Sequence, residues 1–114
     1  MTTEKLQLLR KGNEGFLLID VLSTAQFEQD HIPGARSVPL DTVDFAEVVA
    51  QKASGGRARR VVLYGSGQDS DASAKAAALL VGGGFTNVFD YRGGLASWNA
   101  NKADRLSRRA STRT

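Results

Sequence analysis

The chain has 114 residues, of which 41% are hydrophobic and 24% are charged, a composition typical of one globular domain. It contains no cysteine and a single histidine, which excludes disulfides and thiolate chemistry and argues against a catalytic zinc site. We therefore expect neither a metal nor another cofactor.

The basic residues are concentrated at the carboxyl end of the chain. Residues 101–114 hold five of the 15 basic residues and one of the 12 acidic residues, so the preceding part is nearly neutral. This end is also rich in Ser and Thr and poor in large apolar side chains, so it cannot bury enough surface to offset its ordering entropy. We predict a domain over residues 1–100, then a basic, disordered tail over 101–114 that binds nucleic acid at most weakly.

No apolar stretch has the length of a membrane span. The longest runs, 16–19 and 76–81, are far shorter than the roughly 20 residues that cross a bilayer. The first five residues are polar and no long apolar segment follows them, so we expect no secretory leader here. The predicted location is the cytoplasm, and we expect no membrane partner.

Strand and helix signals alternate along the chain. Short apolar runs predict strands, the two firmest being buried on both faces, and they fall at 16–19, 37–38, 61–64 and 87–89. Capping residues and helical spacing predict the helices, which fall at 24–30, from Asp41 or Thr42 to 53, at 71–81 and at 94–98. The helix over 71–81 is expected to be deeply buried, since Ala or Leu occurs on nearly every face.

This alternation predicts an α/β fold, an open parallel sheet of four to five strands with helices on both faces. Ligands of such sheets bind beyond the carboxyl ends of the strands, where helices begin. Two loops qualify, 20–23 and 65–72. The second can curl its backbone amides into an anion-binding nest or can be a plain connection. Its candidate ligand-binding residues are Gly65, Ser66, Gly67, Gln68, Asp69, Ser70 and Asp71.

Motifs on both sides of these loops resemble the rhodanese-homology domains. The first motif is LIDV at 18–21 followed by HIPGA at 31–35, and the second is GFTNV at 84–88 followed by RGGLASW at 92–98. The resemblance covers nearly all of the domain. It implies a rhodanese-like sheet in which the loop after the 61–64 strand cradles a sulfur-carrying cysteine.

The chemistry that this resemblance implies is missing. The cysteine position is Gly65, and the position of a second cysteine found in a longer-loop subgroup is Ser70. Leu22 stands where the family commonly has an arginine, and the loop itself carries Asp69 and Asp71 but no Lys or Arg. Sulfur transfer needs a thiolate that attacks and then holds the sulfane sulfur. We therefore list no catalytic residue, with Gly65 and Ser70 as vestigial positions.

The favoured hypothesis is a non-catalytic binding or regulatory module without thiosulfate or persulfide sulfurtransferase activity. Its ligand is an unidentified protein or a small anion. Two alternatives remain open: a serine-based hydrolase that uses Ser66 or Ser70, and a sulfurtransferase whose cysteine was replaced by design.

Six residues have both a functional and a structural interpretation. His31 could act as a base, but the turn that holds it favours a local backbone contact. Asp20 is expected to support the site with Leu22 by fixing the shape of neighbouring loops. Trp98 is expected to anchor its helix to the core. Asp69, Ser70 and Asp71 are expected to cap the helix that they precede.

Overall fold

The computed structural model describes residues 1–12, 15–53 and 56–111, with side chains as far as residue 103. Five helices and four strands alternate in this part of the chain. In chain order they are α1 (Thr3–Lys11), β1 (Leu17–Asp20), α2 (Thr24–Gln29), β2 (Arg36–Ser37), α3 (Phe45–Lys52), β3 (Val61–Tyr64), α4 (Ala72–Gly82), β4 (Val88–Tyr91) and α5 (Gly94–Ser111).

The four strands form one parallel sheet in the order β2-β1-β3-β4. This confirms the predicted fold class and strand arrangement. Every residue of β1 and β3 is buried, because these two strands are central and helices cover both faces. The outer strands lie within two residues of their predicted positions. Asp20 pairs with Tyr64 in the register, so the loops after β1 and β3 start side by side.

The sheet separates two hydrophobic cores. Side chains of β1 and β3 alternate between them, because successive residues of a strand point to opposite faces. One core contains Leu17 and Ile19 of β1 together with residues of α3 and α4. The other contains Leu18 with residues of α1, and Leu95 and Trp98 of α5 pack against it. The last helix is therefore held against the second core.

Two helices differ from their predicted start or burial. α3 begins at Phe45, later than predicted, after Asp44 in a left-handed conformation with φ 56°. The Thr42 N–H donates to the Pro39 carbonyl in a turn, so the chain is not yet helical there. α4 is buried on one face only, because no described element covers its outer side, and Val81 is 61% exposed. The prediction of a deeply buried helix was wrong.

Two further differences concern α1 and α2. α1 was not predicted. The sequence suggests Thr24 as the cap of α2, but Ser23 caps it, in a reciprocal capping box with Gln26. None of the described helices is both long and apolar enough to cross a bilayer.

α5 continues well beyond residue 98, its predicted end. Two side-chain hydrogen bonds hold it there: the Asn99 amide donates to Asp30 and the Gln7 amide donates to Asn101, both at 2.9 Å. The predicted boundary at residue 100 therefore falls within a helix, and the backbone of 101–111 is helical. Residues 112–114 lie outside the described part. That 101–114 is a basic, disordered tail stays a prediction.

Candidate functional site

The candidate ligand-binding residues form one continuous loop between β3 and α4, at the carboxyl edge of the sheet. The start of α5 fastens this loop: the Leu95 N–H donates to the Gly65 carbonyl at 3.0 Å, and the Ala96 N–H donates to the Ser66 carbonyl at 2.9 Å. Gly94 makes this contact possible. Its φ is +60°, and a Cβ there would lie only 2.5 Å from the Gly65 oxygen. The second motif thus contributes directly to the shape of the loop.

Gly65 is a buried position with room for a side chain. A Cβ built on it would lie 3.7 Å from the Ala72 Cβ, 3.8 Å from the Ser73 nitrogen and 3.9 Å from the Ser70 Oγ, all ordinary van der Waals distances. Neither a clash nor a left-handed backbone requires glycine here. A side chain at this position would stand at the amino end of α4, where unpaired N–H groups favour negative charge.

The loop satisfies only part of its own backbone. The Ser70 N–H donates to the Gly67 carbonyl at 3.0 Å, and the Ser70 Oγ accepts from the Ala72 N–H at 3.2 Å. Asp71 makes no capping hydrogen bond, so of the predicted self-capping only the Ser70 contact is found. The N–H groups of 66–69 have no hydrogen-bond acceptor among the described residues. These four amides are the candidate donors of the loop.

Acidic groups dominate the mouth of the loop. Asp69 and Asp71 are both exposed. The nearest basic residue along the chain, Lys75, pairs with Asp71 at 3.3 Å. Arg92, at the same sheet edge after β4, lies 3.9 Å from an Asp90 carboxylate oxygen. Both cations are thus shared with carboxylates.

Asp20 lies fully buried at the end of β1 and holds the neighbouring loop. Its Oδ1 accepts from the Leu22 N–H at 2.8 Å, the loop-fixing contact expected from the sequence. Burial raises the pKa of the Asp20 carboxyl, while the Tyr64 hydroxyl, the Leu22 N–H and His31 oppose that rise. Burial and the Asp20 carboxyl both raise the pKa of Tyr64. The sequence reasoning did not single out Tyr64, whose only signal was its place at the end of a buried strand.

The Tyr64 hydroxyl also accepts from the Ile32 N–H at 3.0 Å. It therefore ties the turn after α2 to the sheet beside Asp20. Because Asp20 and Tyr64 are register partners, both loops at the candidate site share this buried polar pair.

His31 and Trp98 have structural contacts away from the loop. The His31 Nδ1 lies 2.8 Å from the Phe27 carbonyl, and its ring stacks on Phe27 with centroids 3.9 Å apart. Trp98 is half-buried against the second core, as predicted, with the Arg10 guanidinium 5.2 Å from its ring centroid. No group of three or more His, Asp or Glu side chains that could hold a metal occurs among the described residues.

Comparison with known proteins decides the family. The model of the rhodanese-like domain matches residues 2–101 of this chain. The chain belongs to the rhodanese-like domain family. The match spans both motifs and the loop between β3 and α4, so the rhodanese-like domain and the fold described above coincide.

Three relatives illustrate the similarity of this rhodanese-like domain to other proteins. It is 38% identical to the thiosulfate sulfurtransferase GlpE of Pseudomonas savastanoi over 101 residues, which cover 89% of this chain and 87% of the relative. The crystal structure of the BH2092 protein from Bacillus halodurans matches with a TM-score of 0.78 at 26% identity. The match covers 90% of this chain and 72% of the BH2092 chain. The crystal structure of the Alr3790 protein from Anabaena sp. matches with a TM-score of 0.76 at 27% identity. The match covers 88% of this chain and 85% of the Alr3790 chain.

Proposed function

We propose that this rhodanese-like domain is a non-catalytic binding module that transfers no sulfur. The observation that carries the proposal is the complete absence of cysteine from a chain whose rhodanese frame is intact. Gly65 directly follows β3, where the resemblance places the nucleophile, and its surroundings would accept a side chain. The reactive group is therefore missing while the loop that would hold it is kept.

The ligand that the loop fits is an anionic group, free or carried by a partner protein. The four N–H groups of 66–69 without an internal acceptor, beside the amino end of α4, are the kind of donor set that binds oxyanions. Asp69 and Asp71 repel a strongly charged ligand, so we expect weak binding of inorganic dianions. The predicted location of this module remains the cytoplasm.

The serine hydrolase alternative gains no support from the geometry. The Ser70 Oγ already accepts from the Ala72 N–H at the start of α4. The chain has one histidine, His31, whose Nδ1 is bonded to the Phe27 carbonyl. Neither Ser66 nor Ser70 has a hydrogen bond to a basic side chain among the described residues, so no general base activates either hydroxyl.

A thiosulfate:cyanide sulfurtransferase assay tests the absence of catalysis. The natural chain and the matched variant Gly65→Ser are expected to give no rate above buffer, and mass spectrometry after thiosulfate treatment is expected to find no persulfide. Turnover that scales with the amount of natural protein and survives repurification from an unrelated host would show that the proposal is wrong.

Amide chemical shifts test the binding role. Titration with sulfate, at ionic strength matched by chloride, is expected to shift the backbone amides of 66–69 while the amides of α1 stay unchanged. Asp69→Asn should strengthen this binding because it removes a repelling charge, and Glu4→Gln on α1 is the control of equal charge change. If sulfate leaves the loop amides unmoved in the Asp69→Asn variant as well, the loop is not an anion site.

A further inference from the structure

A second cleft lies apart from the loop between β3 and α4. It lies where residues 30–33, at the start of the HIPGA segment, meet α1 and α5. Its volume is about 280 Å³. This is just below the roughly 300–1,000 Å³ of pockets that hold drug-sized ligands, so its occupant is small. Its lining includes the side chains of Gln7, Asp30, His31, Trp98, Asn99 and Lys102.

Hydrogen bonds within the protein use one N–H of each amide in this cleft and the Nδ1–H of His31. The Asn99 amide nitrogen donates to one Asp30 oxygen at 2.9 Å, and the Gln7 amide nitrogen donates to Asn101 at 2.9 Å. A carbonyl can only accept, so the His31 Nδ1, 2.8 Å from the Phe27 carbonyl, carries the proton of the neutral ring.

Four acceptors are also left over. They are the amide oxygens of Gln7 and Asn99, the second carboxylate oxygen of Asp30 and the Nε2 of His31, none of which has a hydrogen-bond partner among the described residues. One of the four belongs to a carboxylate and carries negative charge. These acceptors are complementary to a primary ammonium group, which has three N–H donors and a positive charge.

The lining also includes an apolar and a cationic side chain, both from α5. Trp98 presents its half-buried ring, and Lys102 follows one turn later on the same face of α5. The Lys102 ammonium has no ion pair within the described part of the chain. A simple amine would meet this positive charge unfavourably, whereas a ligand that also carries a carboxylate would be held at both ends.

We propose that this cleft binds a free amino acid or a zwitterion of similar size, with its ammonium group on the acceptors around Asp30 and its carboxylate facing Lys102. The ligand's aliphatic part then packs against the Trp98 ring on the face that the Arg10 guanidinium leaves uncovered. This site does not depend on the anion site proposed for the loop after β3.

The single tryptophan gives a direct readout, because the spectrum contains one indole N–H signal and it comes from the cleft. The 114-residue chain is titrated with three matched probes up to about 10 mM, which detects millimolar dissociation constants. L-Leucine has both charges, 3-methylbutylamine lacks the carboxylate, and 4-methylpentanoate lacks the ammonium group. We expect L-leucine to shift the indole signal at the lowest concentration and 4-methylpentanoate to leave it unchanged.

Three variants separate the two ends of the ligand. Asp30→Asn keeps an acceptor for Asn99 but loses the charge, and it should weaken L-leucine at least tenfold. Lys102→Gln should weaken the binding of L-leucine, while 3-methylbutylamine should bind as tightly as before or more tightly. Glu28→Gln removes an exposed carboxylate of α2 that is not part of the cleft. It should change the affinity for neither L-leucine nor 3-methylbutylamine.

Two results would overturn the proposal. One is an indole signal that no ammonium probe moves in the natural chain. The other is 4-methylpentanoate binding as well as L-leucine, since the cleft would then select for apolar bulk rather than for the ammonium group.

Discussion

Replacing Gly65 with cysteine tests how much of the rhodanese site this chain retains. The new Cβ would make only ordinary contacts, the shortest 3.7 Å to the Ala72 Cβ, and would stand 3.8 Å from the Ser73 nitrogen. We therefore expect Gly65→Cys to change the free energy of unfolding by less than about 1 kcal/mol. The amino end of α4 should lower the thiol pKa below its free value of about 8.5, so iodoacetamide should alkylate it readily.

The same variant is expected to turn over thiosulfate poorly, because the charges around the loop have the wrong sign. A unit charge about 8 Å from another contributes roughly 2 kcal/mol at an effective dielectric of 20. Asp69 is exposed, so water and salt reduce its share below about 1 kcal/mol. Adding Leu22→Arg and Asp69→Arg reverses the local charge. Their combined effect should be about 1.4 kcal/mol, a rate increase of roughly tenfold.

Steady-state cyanide assays on the single variant and the triple variant decide the matter, with Gly65→Ser as the inactive control. Alkylation of the single variant establishes that its thiol is present and accessible. If Gly65→Cys alone is as active as the triple variant, the electrostatic part of this reasoning is wrong.

Two stability predictions follow from the geometry of the site. Gly94→Ala should lower the free energy of unfolding in urea by at least about 2 kcal/mol, because of the positive φ and the close Gly65 oxygen. Gly82→Ala, with open space around it, should cause no loss, and equal effects would contradict the argument. For Asp20, burial raises the folded-state pKa, so its contribution to stability falls as pH rises from about 4 through that pKa. Asp20→Asn should therefore gain stability relative to the natural chain across this range, and a constant difference in urea unfolding between pH 4 and pH 7 would refute it.

The sequence alone determined the fold class and the family. Short apolar runs between helical segments predict a parallel sheet because only strands buried on both faces lack polar alternation, as 17–20 and 61–64 do. The absence of cysteine is equally visible without a structure, and it leaves these 114 residues without a thiol that could carry a persulfide.

The position of the candidate loop was also predictable, since the carboxyl edge of a parallel sheet follows from strand order and direction. Its internal bonding was not. Ser70, Asp69 and Asp71 have similar capping preferences, but of the three only Ser70 accepts a hydrogen bond from the start of α4. Which side chain reaches an N–H depends on the exact path of the backbone, and composition does not encode that path.

Only the tertiary structure decided the contacts between residues far apart in sequence. Tyr64 lies beside Asp20 and accepts from Ile32 because β1 and β3 pair in a particular register. α5 continues past Trp98 because Asn99 meets Asp30, 69 positions earlier. Local periodicity carries no information about such partners, since it reports which face of an element is apolar and not what that face meets. The cleft at His31 belongs to the same class: its lining comes from three separate segments that are adjacent only once the chain has folded.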